Sequence, residues 1–151
     1  MTDSLTAIER IGIQLACERL VHAYCRALDQ GDMDAAADLF AADGSFARPT
    51  APDAIIAGQE AIRASLRARP STLRTRHLST NVIIEVDGPD AAHGVSYLTM
   101  VSTTPAEGAA PPHESRGPIW FGEMRDRFVR ENGEWRFLER RGSVQIRHVF
   151  P

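Results

Sequence analysis

The chain has 151 residues, 43% of them hydrophobic and 25% charged, and carries a formal net charge of -3. That length suits one domain, 1–151, with a real core, and the slightly acidic balance leaves no electrostatic footprint for nucleic acid. All 17 basic residues are arginine, which excludes Schiff-base chemistry and lysine-anchored pyridoxal phosphate.

The N-terminus, MTDSLTAIERIG, lacks the basic segment and apolar run of a secretory signal, and no later stretch reaches membrane-spanning length. The cytoplasm is the expected compartment, with no membrane partner. Ser4 or Thr6 is placed to cap a first helix, with Glu9 completing a capping box after Thr6. Apolar residues at Ile13, Cys17, Leu20, Val21, Tyr24 and Leu28 line one face of that helix, which runs to about Asp29. Cys17 and Cys25 lie about 12 Å apart along it, too far for a disulfide, and are read as core thiols. Gly31 suits a helix stop and Asp32 an N-cap for a second helix, Met33 to Phe40. The Asp43-Gly44 pair ends that helix. A short strand, Ser45 to Arg48, is halted by Pro49, and a third helix spans Gly58 to Arg69 before Pro70.

Beyond Leu73 the period becomes two. Strands are expected at Thr75 to Val86, His93 to Thr103 and Ile119 to Arg130, and from Glu134 to at least Arg141. Asn132-Gly133 joins the last two as a type I′ hairpin. Residues 104–118, TPAEGAAPPHESRGP, lack periodicity and have the look of a lid or binding loop. Helices followed by long antiparallel strands make an α+β fold.

The segments YCRALDQGDMDAAADLFAADGSF, GQEAI, TRHLSTN and FVRENGEWRFLERR, in that order, resemble the SnoaL-like branch of the NTF2-like superfamily. The resemblance implies a cone of three N-terminal helices packed on a curved, mostly antiparallel sheet. It also implies a homo-oligomer, a trimer in preference to a dimer. The fold hosts dehydratases, isomerases, cyclases, dehydrochlorinases and proteins that only bind a ligand.

A carboxylate in the last turn of a helix opposes the macrodipole, so Asp29 needs compensation, and a histidine is the obvious candidate. The resemblance supplies it: Asp29 and His77 sit where scytalone-dehydratase-like enzymes, hexachlorocyclohexane dehydrochlorinase and bile acid 7α-dehydratase place an Asp–His pair. A carboxylate on one ring nitrogen fixes the tautomer and leaves the other nitrogen free as a base. Strict alternation, however, groups His77 with Ser79 and Asn81, opposite the apolar Leu78, Val82, Ile84 and Val86. A bulge, or a pocket beyond the end of the apolar packing, would reconcile the two.

Tyr24 precedes Asp29 by five positions, about 140° around the helix, and is placed to donate a hydrogen bond into a shared pocket. Bile acid 7α-dehydratase is similar there, whereas the dehydrochlorinase has lysine, which favours dehydration. Arg140, after EWRF, matches a pocket arginine of the dehydrochlorinase and could stabilise developing negative charge. Phe46, Met100 and Trp120 are candidate pocket walls, and Phe40, Phe128, Trp135 and Phe137 candidate core. No ligand spacing such as H-E-x-x-H occurs, and no nucleotide or nucleophile-elbow motif, so neither metal nor cofactor is expected.

The leading expectation is a cofactor-independent lyase that dehydrates a small hydrophobic cyclic substrate. A non-catalytic binding protein, or a scaffold like the β subunit of ring-hydroxylating dioxygenases, is the alternative. A ketosteroid-isomerase-like enzyme or polyketide cyclase ranks third, because Arg48 stands where the isomerase carboxylate base would fall.

Overall fold

The computed structural model describes residues 5–151. Helix α1 (Ala7–Gln30) opens on Thr6, whose side chain and that of Glu9 close a complete capping box. Ser4, the other candidate cap, lies outside the described residues. Gly31 ends the helix at φ +78°, its N–H reaching the carbonyls of Ala27 and Leu28, a left-handed stop that favours glycine. Asp32 then caps α2 (Met33–Asp38) through the amide of Ala35 at 3.0 Å.

The second helix stops two residues before the Phe40 expected from sequence. Phe40 instead begins β1 (Phe40–Ala47), pairing in parallel with Phe137 on the last strand. The Asp43-Gly44 pair lies inside β1, at an irregularity in its pairing, rather than ending a helix. Gly44 permits this: a Cβ there would stand 2.9 Å from the Ala41 carbonyl and 3.0 Å from that of Phe137. A two-residue strand, β2 (Ile56–Ala57), falls between Pro49 and the third helix, where no strand is expected from sequence, and α3 (Gln59–Arg67) follows.

Four long strands complete the chain: β3 (Arg74–Gly88), β4 (Ala91–Thr103), β5 (Ile119–Glu131) and β6 (Glu134–His148). Asn132 and Gly133, at φ 51° and 83°, make the left-handed hairpin turn between the last two. The curved sheet has the order β2-β1-β6-β5-β4-β3 and is antiparallel except where β1 meets β6.

The three helices cover its concave face, α1 packing chiefly across β3. Ile13, Cys17, Leu20, Val21, Tyr24 and Leu28 are all buried there, as the helical spacing requires. Cys17 and Cys25 are buried free thiols. Phe40, Phe46, Phe128 and Phe137 complete the core, with Trp135 packed at its edge. No helix among the described residues is long and apolar enough to cross a membrane.

Strand β3 carries a bulge. Thr80 faces Tyr97 and Ile83 faces Val95, so three steps on β3 oppose two on β4, and Asn81 adopts φ +51° inside the gap. The extra residue switches the inward face. Thr75, His77 and Ser79 point in above it; Val82, Ile84 and Val86 point in below it, while Leu78 and Ile83 are exposed. Of the two ways to reconcile His77 with the apolar side, the chain uses the bulge.

Candidate active site

Between α1, α3 and the sheet the fold leaves a cavity of about 560 Å³, predominantly apolar. That is ample for a small cyclic molecule. Tyr24 and His77 reach it from α1 and β3, Phe46 and Arg140 from β1 and β6, and Met100 and Trp120 from β4 and β5. All six were singled out in the sequence as candidate site residues. Asp29 stands behind His77 rather than on the cavity wall.

The Asp29 carboxylate is held by three donors from one strand. Its Oδ1 accepts from Thr75 Oγ1 at 2.8 Å and lies 2.6 Å from His77 Nδ1; its Oδ2 accepts from the His77 backbone N–H at 2.9 Å. Both side chains are nearly buried, 14% and 11% exposed. Burial pushes the Asp29 carboxyl up, but the hydrogen bonds from His77 and Thr75 outweigh it and hold it below the usual carboxylate range. The charge at the end of α1 is therefore met by β3. A carboxylate accepting from Nδ1–H leaves the His77 Nε2 lone pair free.

Tyr24 is 5% exposed, and burial drives its phenol well above its ordinary value, with Arg140 partly opposing. It keeps its proton, so its hydroxyl is available to donate. Arg140 is fully buried. Its guanidinium lies 4.8 Å from the ring centroids of both Tyr24 and Phe137, and its Nη1 donates to Asp126 Oδ2 at 2.6 Å. Arg141, on the opposite strand face, is exposed and pairs with Glu139.

Two residues escape the sequence-derived site. Asp126 is 3% exposed, and its desolvation raises the carboxyl to about 6 even against Arg140. The signal was present: Met124, Asp126 and Phe128 share one strand face, and both neighbours are core. Arg69, half-buried just past α3, donates through Nη2 to Thr75 Oγ1 at 2.6 Å and so touches the far side of the Asp29 network. The 104–118 loop lies elsewhere. Its residues line a separate depression with Thr103, and none borders the main cavity. Among the described residues, no three His, Cys, Asp or Glu side chains gather around a common point.

The geometry invites comparison with known proteins. A candidate scytalone dehydratase from Novosphingobium aromaticivorans is 20% identical, over 97% of this chain and 93% of its own, with a TM-score of 0.79. A type 2 hexachlorocyclohexane dehydrochlorinase, LinA, is 15% identical over 97% and 94%, with a TM-score of 0.80. Rv3472 of Mycobacterium tuberculosis, a protein of unknown function, is 31% identical over 89% and 77%, with a TM-score of 0.70. No protein of curated function matches the chain. The model of the SnoaL-like domain matches residues 9–141, and the chain belongs to that family, in the NTF2-like superfamily.

Proposed function

We propose that the protein is a cofactor-independent lyase that removes water from a small hydrophobic cyclic substrate, with His77 as base. The carrying observation is the 2.6 Å contact between His77 Nδ1 and Asp29, with the ring bordering an apolar cavity. In this reading His77 Nε2 takes a proton from substrate carbon, and that C–H electron pair becomes the new double bond. The C–O bond breaks, and the imidazolium returns its proton to the departing hydroxide, releasing water. Tyr24, kept protonated by burial, donates a hydrogen bond to the leaving oxygen. Asp29 fixes the tautomer and stabilises the transient imidazolium. Arg140 acts through the Tyr24 ring it stacks on, its own charge matched by Asp126.

The protein also self-associates, as a trimer in preference to a dimer. Supporting this, Leu78, Thr99, Phe121 and Ile146 form one cross-strand row on the outer sheet face, with Tyr97, Ile83 and Val95 beside it. Its large apolar members are exposed, Ile146 at 63%.

The test is a mass-based screen of cyclic alcohols for loss of water, with His77→Ala as the control. Wild type should turn over at least one, and the alanine variant should lose about 10²-fold or more of that rate. Binding of cyclic ligands with no turnover by wild type would favour a non-catalytic binding protein.

A further inference from the structure

The cavity is apolar but not neutral. Three arginines border it, Arg48, Arg69 and Arg140, and no aspartate or glutamate does. The protein pairs its other buried and half-buried guanidinium groups closely. Arg140 has Asp126, and Arg63 has Asp34, Asp38 and Glu60. Arg48 and Arg69 are half-buried, yet among the described residues neither has a carboxylate within 4.0 Å.

Their fixed contacts leave most donors unused. Arg48 spends only Nη2, on the carbonyl and hydroxyl of Ser65 at 2.9 and 2.7 Å. Arg69 spends only Nη2, on Thr75. A guanidinium offers five N–H groups in a planar fork matched to a carboxylate. Both groups border the cavity where α3 meets it. Arg48 is anchored to Ser65 on α3, and Arg69 follows Ser65 by four positions, just past that helix. Burial already works against the charge on Arg69, a cost that a bound anion would relieve.

We infer that the substrate is a hydrophobic cyclic acid, whose carboxylate is held by Arg48 and Arg69 at the α3 end while its ring system fills the apolar remainder. The inference rests on the cavity being the substrate site. The carboxylate is a handle remote from the bond that breaks, so its binding energy positions the ring against His77. Because Arg69 also bonds Thr75, the anion site and the Asp29–His77 pair share one hydrogen-bonded chain.

The experiment compares 2-naphthoate with its neutral counterpart 2-naphthylmethanol, by calorimetric titration of the wild-type protein at low ionic strength. The carboxylate should bind about tenfold or more tighter, and the preference should shrink as salt is added. Arg69→Gln and Arg48→Gln should each bring the ratio towards one without weakening the alcohol, with circular dichroism confirming the fold. His77→Ala should keep the preference. Equal affinities, tighter binding of the alcohol, or no binding of either probe up to about 1 mM overturns the inference. A preserved preference in a protein that dehydrates nothing would sink the lyase reading and leave the anion site standing. Turnover of neutral alcohols without any preference would do the reverse.

Discussion

Asp29→Asn isolates what the Asp29–His77 contact does, because the local donors dictate how the amide must sit. The His77 backbone N–H points at Oδ2, so the asparagine oxygen has to occupy that position to accept it. Its NH₂ group then falls at Oδ1, facing His77 Nδ1 at what was 2.6 Å. Two donors cannot face each other there, so the imidazole proton moves to Nε2 and the ring offers the cavity a donor instead of a base. The expected loss in kcat is about 10³- to 10⁴-fold, the scale seen when a catalytic histidine is held in the wrong tautomer. Stability should fall less. Three hydrogen bonds lose the assistance of a charge, about 1 kcal/mol each, which in a domain of this size lowers Tm by about 6–12 °C. Long-range proton–nitrogen NMR of the ring reads the tautomer without any substrate: Nδ1–H in wild type, Nε2–H in the variant. An unchanged tautomer in Asp29→Asn, or Nε2–H already present in wild type, would refute the reasoning.

Helix α1 was legible in the sequence because its face repeats at helical spacing for four turns and its ends carry local chemistry, Thr6 with Glu9 and then Gly31. The Asn132-Gly133 hairpin was legible for the same reason, a turn type fixed by two residues. The end of α2 was not. Ala-rich residues up to Phe40 read as helix, but Phe40 is claimed by a partner 97 positions away, Phe137, and a local pattern carries no trace of that pairing. At the site, Asp29 and His77 are 48 residues apart, and resemblance brought them together, whereas alternation alone would have separated them. The correction was a single left-handed asparagine, Asn81, whose type is compatible with a bulge without announcing one. Asp126 was overlooked because arginines flank it on both sides, making RDR look like surface, although its period-two neighbours are core. Arg48 and Arg69 were unreadable as a pair. Only the packing of α3 against the end of β1 gives them a common cavity.

Three further outcomes are expected. Light scattering at micromolar concentration should return a multiple of 16.6 kDa, with charged substitutions at Tyr97 or Phe121 shifting it towards the monomer; a monomeric wild type would contradict self-association. Burial sets the Asp126 carboxyl at about 6, above its unfolded value of about 3.9, so the native state retains a proton that the unfolded chain releases between those values. Stability should therefore fall as pH rises through that window and level off above it, and Asp126→Asn should remove the slope; the same slope in the variant would discount the group. Asn81→Val disfavours the left-handed backbone, φ +51°, on which the bulge depends; at unchanged length a strand without the bulge alternates unbroken, so either the segment before residue 81 or the segment after it must turn over. Exposing Val82, Ile84 and Val86 would forfeit about 1.5–3 kcal/mol for each side chain fully exposed, the larger penalty because Thr75, His77 and Ser79 are polar. The polar half should turn instead, leaving a folded protein in which His77 faces solvent and its ring no longer reads as Asp29-bound by NMR. An Asn81→Val variant that keeps the Nδ1–H tautomer and wild-type Tm would show that the bulge does not place the histidine.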